Sequence, residues 1–209
     1  MALSIIKQVE QKIKGLPKGK VFFVADFSGI GSDEAIRQSL QRLMKKELII
    51  RLSKGIYYYP KKGKLFNDII YPTAEQIAKA IAKRDKARII PTGSYAQYKL
   101  GLSTQIPMNV IYLTDGSARK ISVGNQDITF KKASPRNLIV EHKLSNLIIQ
   151  ALKELKEKDL NAEIKEKIKR IIIKSGEKDE VKKTIKNAPA RIKNTVLKII
   201  KEIEDDELA

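Results

Sequence analysis

The stretch from Val21 to Pro60 places a short apolar segment, one amphipathic helix and two β-rich segments in immediate succession. A turn with Gly29 and Gly31 follows the apolar segment, and Ser32 then precedes two acidic residues. A serine before acidic residues is typical of a helix start, because its side-chain oxygen accepts an unpaired N–H group of the first turn. Residues 1–65, which begin with an amphipathic segment, are therefore predicted to form a winged helix-turn-helix.

The central helix of this stretch has an apolar and a polar side at helical spacing. Arg37 and Gln41 lie four residues apart and therefore project from adjacent turns on one face. An arginine can donate two hydrogen bonds to guanine, and a glutamine can pair with adenine. We expect this face to contact base edges in a major groove, although an ordinary solvated helix face has the same pattern. The apolar side holds Ile36, Leu40, Leu43 and Met44, and the polar side holds Arg37, Gln38, Gln41 and Lys45.

Two β-rich segments, residues 48–52 and 55–59, follow the helix and are joined by Ser53-Lys54-Gly55, which predicts a hairpin. The three consecutive tyrosines at 57–59 alternate across a strand, so that Tyr57 and Tyr59 share one face. One hydroxyl could bond a phosphate, but we expect at least two of the rings to pack against the helices. The basic side chains that are expected to cluster around the hairpin and neutralise phosphates are Arg51, Lys54, Lys61 and Lys62.

Positive charge is concentrated in the same region. The chain holds 42 Lys and Arg against 24 Asp and Glu, a formal net charge of +18. The net charge is +9 over residues 1–65, +6 over residues 66–140 and +3 over residues 141–209. A basic domain attracts polyanions such as nucleic acid. A lysine-rich composition can also serve solubility alone, but it would not by itself produce the pattern of a helix and a wing.

The chain is predicted to have the fold class α+β, with three domains at residues 1–65, 66–140 and 141–209. In the second part, Thr73 is expected to cap a helix over residues 74–84, and turn residues separate apolar, β-branched segments. This pattern predicts a small α+β domain with antiparallel strands in a meander. Residues 141–209 carry Ile and Leu stripes between Lys and Glu, which predicts a helical bundle with a frayed acidic end at 202–207.

Composition excludes several classes of protein. Because the chain has no cysteine, it cannot form disulfides or thiolate metal sites, and a single histidine gives no basis for a zinc site. Apolar runs such as residues 69–71 and 171–173 are far too short to cross a membrane. The N-terminal segment lacks the continuous apolar core of a secretion signal. We expect a cytoplasmic protein with no cofactor and no membrane partner.

Thr92-Gly93-Ser94 at a predicted helix start raises the question of nucleotide chemistry, because N–H groups at a helix N-terminus can hold an anion. Nucleotidyltransferases also need paired carboxylates shortly downstream to hold Mg²⁺. Residues 95–108 contain no Asp or Glu, and Asp115 stands alone in a turn. We therefore expect a tight helix start here, a surface position for His142, and no catalytic or metal site. The chain is predicted not to be an enzyme.

Three segments resemble the AbiEi-type antitoxin family of type IV toxin–antitoxin systems: LMKKELIIRLSKGIYYYP, PTAEQIAKAIAKR, and the stretch from IIPTGSYAQYKL to DITFKKA. The resemblance covers roughly residues 5–155, and PTGSYAQYKLGLSTQIP with YLTDG is its distinctive part. It implies an N-terminal winged helix that represses its own operon by binding inverted repeats, and a following domain that counteracts a nucleotidyltransferase-type toxin. It further implies DNA contacts by Arg37, Gln41, Arg42, Arg51 and Lys54, at the positions of the family's recognition helix and wing.

The sequence thus predicts a DNA-binding transcriptional repressor that is also an antitoxin. Its expected partners are a double-stranded inverted-repeat operator and a nucleotidyltransferase-type toxin. Two copies would place their helices in successive major grooves, as a homodimer or as separate monomers. The alternative is a protein-interaction module that binds a partner toxin without DNA, since fold alone does not decide function. A nucleotide-transferring enzyme is a third hypothesis, which is weakened because the carboxylate pair needed to hold Mg²⁺ is missing.

Overall fold

The computed structural model of the protein describes residues 3–63, 67–133, 142–156 and 159–208. It is a mixed α+β structure with two compact units, residues 1–85 with 121–125 and residues 86–120 with 126–209. These borders differ from the predicted ones at 65/66 and 140/141. The helices of the described part are α1 (Ile5–Lys14), α2 (Asp33–Lys45), α3 (Ala74–Arg84), α4 (Gly93–Lys99), α5 (Lys143–Glu154), α6 (Ala162–Ser175), α7 (Lys178–Thr184) and α8 (Ala190–Leu208). Its strands are β1 (Val21–Phe23), β2 (Ile50–Ser53), β3 (Ile56–Tyr58), β4 (Lys61–Lys62), β5 (Ile69–Ile70), β6 (Ile89–Thr92), β7 (Asn109–Thr114), β8 (Arg119–Val123) and β9 (Gln126–Lys132).

A three-stranded antiparallel sheet of order β1-β3-β2 forms the centre of the first unit. Because side chains alternate across a strand, the sheet has two faces. Phe22 and Tyr57 lie on the face towards α1 and α2, and their rings stack with centroids 5.8 Å apart. The core on this side is completed by Val9, Ile13, Phe27, Ile36, Leu40, Leu43, Ile49 and Tyr59.

Helix α3 lies against β1 and belongs to the same unit. Its start is fixed by a capping box, in which the hydroxyl of Thr73 accepts from the N–H of Gln76 at 3.2 Å. The Gln76 side-chain oxygen accepts from the N–H of Thr73 at 2.9 Å in return, so two N–H groups of the helix start are satisfied. The predicted cap and the bounds at residues 74–84 are confirmed, and Ile77, Ala78 and Ile81 form the buried stripe of this helix.

All three consecutive tyrosines are buried, with exposed fractions of 6% for Tyr57, 2% for Tyr58 and 6% for Tyr59. This confirms that at least two of the rings pack in the core. Tyr58 lies on the opposite face of the sheet from the other two, and its hydroxyl donates to the carbonyl oxygen of Ile70 in β5. Burial raises the pKa of Tyr58. The Tyr58 hydroxyl is therefore engaged by the backbone and not by a phosphate.

A four-stranded sheet of order β6-β7-β9-β8 contains the strands predicted between residues 88 and 132. Strand β6 pairs antiparallel with β7, but β7 pairs parallel with β9, so the predicted antiparallel meander is wrong at this point. Strand β9 takes the interior position between β7 and β8, and it carries buried side chains. Ile128 is fully buried, and the ring of Phe130 stacks on Tyr112 with centroids 5.9 Å apart. Strand β8 has no buried residue and lies at the edge.

Helices α5 to α8 pack together in the second unit, and α4 packs on α5. The bounds follow local signals: the side chain of Asn161 accepts from the N–H of Ile164 at 3.0 Å at the start of α6, and Gly176 ends it with a φ of 68°. This confirms the predicted C-terminal helical region. No helix in the described ranges is both long enough and apolar enough to span a bilayer. The shared core includes Ile148, Leu152, Ile168, Ile172, Val181, Ile185, Val196, Ile199 and Ile200.

The acidic end of the chain is helical, because α8 continues to Leu208. The predicted fraying at residues 202–207 is therefore wrong: Ile203 is buried in the shared core, and ion pairs join the last turns of α8 to α6 and α7. The hydrogen bond from Lys182 lowers the pKa of Glu204. The pairs are Glu204 with Lys182 at 2.6 Å, Asp206 with Lys169 at 2.6 Å, and Glu207 with Lys178.

These pairs predict that the last turns of α8 loosen in acid. A carboxylate whose pKa is lowered by folding contributes stability at neutral pH and loses it as the pH falls through the folded pKa. For Glu204 that loss occurs below its ordinary value of 4.5. The protection of the amides of residues 201–208 against hydrogen exchange, measured relative to the intrinsic rate at each pH, should fall on acidification through this range. Glu204→Gln should remove most of the change at its own turn, whereas Asp205→Asn should retain it. Exchange rates that differ from neutral pH only by the intrinsic pH effect would contradict the ion-pair account.

Candidate nucleic-acid interface

Helix α2 is placed by its N-cap and by its buried side. The hydroxyl of Ser32 accepts from the N–H of Ala35 at 3.3 Å, as expected for the residue before a helix. Ile36, Leu40 and Leu43 are fully buried against the first unit's core. The predicted helix start and apolar side are therefore confirmed. The side of α2 opposite the buried residues remains accessible.

The accessible side of α2 is polar. Arg37 retains 66% of its side chain exposed, and its guanidinium lies 3.7 Å from the carboxylate of Asp33. Glu34 is also exposed and lies one turn before Gln38, so it places a negative charge on the same side. All five predicted residues of this helix are exposed, namely Arg37, Gln38, Gln41, Arg42 and Lys45.

A tight connection joins α2 to the hairpin. The N–H of Leu48 donates to the carbonyl oxygen of Leu43 at 3.1 Å, and the N–H of Glu47 donates to that of Met44 at 2.9 Å. Glu47 adopts a left-handed conformation with a φ of 56°, which reverses the chain after the helix. Ile49 then enters the same core as α2, with 2% of its surface exposed. The helix and the hairpin are thus connected by a short segment that is hydrogen bonded and ends in the buried Ile49.

The hairpin of β2 and β3 carries two of the predicted phosphate contacts. Arg51 lies opposite Tyr57 in the register, and the register then shifts by one residue between Arg51 and Ser53. Lys54 and Gly55 form the tip, where Gly55 has a φ of 75° that favours glycine. Arg51 and Lys54 are both exposed. Because β2 is an edge strand of the sheet, Arg51 is not flanked by a further strand.

Lys61 and Lys62 are exposed but do not join this hairpin. They form β4, which pairs antiparallel with β5 in a separate two-stranded ribbon. The side chain of Lys61 lies close to Gly19, beside the end of β3 that is remote from the tip. A lysine that follows β3 in sequence cannot lie near Lys54, because an extended strand separates them by about 3.3 Å for each residue. The expectation that all four basic residues cluster around the hairpin is therefore wrong for this pair.

From the sequence, His142 is expected at the surface, but the structure places it in a buried polar network. Its side chain is only 16% exposed, its Nδ1 lies 2.8 Å from Ser145 Oγ, and its Nε2 lies 3.3 Å from a carboxylate oxygen of Glu177. Ser145 Oγ also lies 2.6 Å from the hydroxyl of Thr184. The order carboxylate, imidazole and hydroxyl resembles a hydrolytic triad. Ser145, however, is fully buried, so its hydroxyl links α5 to α7 instead of facing a substrate.

The Thr92-Gly93-Ser94 segment begins α4, as predicted. The hydroxyl of Thr92 does not cap the helix but donates to the side-chain oxygen of buried Gln150 at 3.1 Å. Gly93 has a φ of 65° and contains the turn from β6 into the helix. Within the described residues, no group of three or more His, Cys, Asp or Glu is arranged to hold a metal ion.

The family model of DUF6088, a family of unknown function, matches residues 8–181 of the chain. The chain belongs to this family. The DUF6088 match includes α2 and the hairpin, and it extends into α7. Comparison with curated proteins gives no match.

Proposed function

We propose that this DUF6088 protein is a DNA-binding transcriptional regulator whose first unit is a winged helix. The observation that supports this most directly is the connection between α2 and the hairpin. The exposed cations Arg37, Arg42 and Lys45 on α2 are joined to Arg51 and Lys54 by four hydrogen-bonded and partly buried residues. A helix in the major groove and a hairpin against the flanking backbone require such a fixed relation.

The order of elements also favours a winged helix. Helix α1, strand β1, a short 3₁₀ helix at Val24–Phe27, helix α2 and the hairpin follow one another, and β1 pairs with β3. In this proposal α2 is the recognition helix and the hairpin is the wing. Arg37 and Gln41 would contact base edges, and the side chains of Arg42, Arg51 and Lys54 would contact phosphates.

We further propose that the protein is an antitoxin, and the resemblance to AbiEi-type antitoxins supports this. The protein would repress its own operon from an inverted repeat, with two copies bound to successive major grooves. It would also counteract a nucleotidyltransferase-type toxin through its second unit. Both activities belong in the cytoplasm, the compartment expected from the sequence.

A protein-interaction module without DNA is the second candidate, and one observation favours it. Ile69, Ile70 and Tyr71 are consecutive and exposed, with 39%, 49% and 59% of their surfaces accessible. Large apolar side chains at the surface are typical of protein contacts when they occur together. The two candidate functions make different predictions for binding to the DNA upstream of the gene.

The first test is a gel shift with that upstream DNA at increasing salt. Phosphate contacts release counterions, so the logarithm of the affinity should fall linearly with the logarithm of the salt concentration, by about 0.9 for each phosphate neutralised. We expect a discrete complex at about 50 mM salt and a strong loss by about 200 mM. A retarded band that is insensitive to salt would contradict the proposed phosphate contacts, and no band at all would favour the protein-interaction function.

The assigned roles of individual residues predict different losses. Replacing Arg37 and Gln41 by alanine should remove about 1–3 kcal/mol of discrimination for each base contact, so that operator and unrelated DNA bind alike. Lys54→Ala should instead weaken binding to all sequences similarly, because phosphate contacts carry no sequence information. Lys79→Ala is the matched control, since Lys79 is 69% exposed on α3 of the same unit. Reversal of the two patterns would contradict the roles given to α2 and the hairpin.

The antitoxin half predicts a gene for a nucleotidyltransferase-like protein directly beside this one. Expression of that gene alone should arrest growth, and co-expression of this protein should restore it. The variant with Arg37 and Gln41 replaced by alanine should still restore growth, because neutralisation is assigned to the second unit. If the neighbouring gene is harmless, or if co-expression gives no rescue, the antitoxin assignment fails while DNA binding is unaffected.

A further inference from the structure

A pocket of about 360 Å³ lies in the first unit, away from the α2 and hairpin surface described above. Its walls come from α1, from residues 20–27 and from the last turns of α3. Small-molecule pockets have volumes of roughly 300–1,000 Å³, so this one is at the lower end of that range. It has room for a small molecule about the size of a fused two-ring compound.

The inner wall of the pocket is aromatic. Phe22, Phe23 and Phe27 line it, and each is at least 95% buried, with exposed fractions of 1%, 5% and 1%. The rings of Phe22 and Phe27 meet edge to face with centroids 5.6 Å apart. Because these rings are almost fully covered by other residues, a ligand would meet an apolar lining to which Leu16, Val21 and Ala80 also contribute.

The rim of the pocket is cationic. Lys12 Nζ lies 5.7 Å from the centroid of the Phe27 ring, and the guanidinium carbon of Arg84 lies 4.4 Å from that of Phe23. Lys20 and Lys83 also line the pocket and are exposed. Lys12 and Arg84 thus lie over aromatic rings of the lining, and Lys20 and Lys83 are in contact with solvent.

One acidic residue, Asp26, lines the same pocket. Its carboxylate accepts a hydrogen bond from the N–H of Phe23 at 2.8 Å, which holds the turn after β1. Arg84 is paired with Asp85, with its Nε 2.7 Å from the carboxylate. Four cations thus surround a pocket with one carboxylate in its lining, and that carboxylate is already used by the backbone.

We propose that this pocket binds a small organic anion with a flat apolar body and a carboxylate or phosphate group. The apolar body would lie against the apolar lining of the pocket, and the acidic group would face Lys12, Lys20 and Lys83. An inorganic anion would satisfy the rim but would not cover the apolar lining. A neutral aromatic molecule would cover the wall but leave the cations without a partner.

The test is a titration of the full chain, labelled with ¹⁵N, with naphthoate as the probe. Amide signals of residues 12–27 and 80–84 should shift and saturate. Naphthylmethanol, which has the same rings without the charge, should bind about tenfold more weakly. Inorganic phosphate should give no saturable shift at these residues. Equal binding of the neutral compound, equal shifts with phosphate, or saturable shifts elsewhere only would overturn the proposal.

Variants separate the two parts of the site. Ala80→Phe should fill the pocket and abolish the naphthoate shifts. Lys83→Ala should weaken naphthoate severalfold without unfolding the chain, because Lys83 is exposed, and Lys79→Ala on the same helix should have no effect. If Lys83→Ala binds as tightly as Lys79→Ala, the cationic rim plays no part and the proposal fails. No DNA is present in these measurements, so their outcome does not depend on the proposed regulator function.

Discussion

Burial of both faces of the β1-β3-β2 sheet is the constraint on which the first unit depends. Its strands are three or four residues long, so the ladder supplies few hydrogen bonds and small sheets of this kind need packed neighbours. Phe22 and Tyr57 supply the packing towards α1 and α2, and Phe23 and Tyr58 lie on the side of α3. This explains why the compact unit continues to residue 85 and does not end after the hairpin.

Helix bounds and most strands could be predicted because their signals are local. Thr73 and Gln76 form a capping box within four residues, and Ser32 caps α2 in the same way. Each signal depends only on neighbours in the sequence, so it can be predicted without knowledge of the fold. The helical acidic end of α8 could not be predicted in this way, because Ile203 packs in the shared core and the acidic side chains pair with lysines that are 22 to 37 residues away in sequence.

Strand order and side-chain networks could not be predicted, because they also depend on contacts between residues that are distant in sequence. A turn at Gly124 and Asn125 predicts that β8 and β9 are neighbours, but not which of them lies beside β7. That choice depends on the burial of Ile128 and Phe130, which is a property of the whole sheet. His142 gave no sequence signal either, because Ser145 lies on its own helix turn while Glu177 and Thr184 come from a later part of the chain.

The candidate DNA surface was predictable on α2, because the polar side follows from the helix period and from the burial of Ile36, Leu40 and Leu43. The positions of Lys61 and Lys62 were not, because the pairing of β4 with β5 is set by residues 69 and 70. The cationic rim of the pocket could not be predicted from the sequence either. Lys12, Lys20 and Lys83 come from three separate segments, and no spacing in the sequence relates them.

The location of the charges is more informative than their sum. In the second unit many cations are engaged with carboxylates, for example Lys169, Lys178 and Lys182 with the end of α8. In the first unit, Arg37 has only a weak pair at 3.7 Å with Asp33, and both side chains are largely exposed. Exposed pairs of this kind contribute roughly 0–1 kcal/mol, so Arg37 can exchange Asp33 for a nucleic-acid acceptor at little cost. In the proposed function Arg37 is therefore available for a contact with DNA, whereas in the second unit several lysines bridge α6 and α7 to α8.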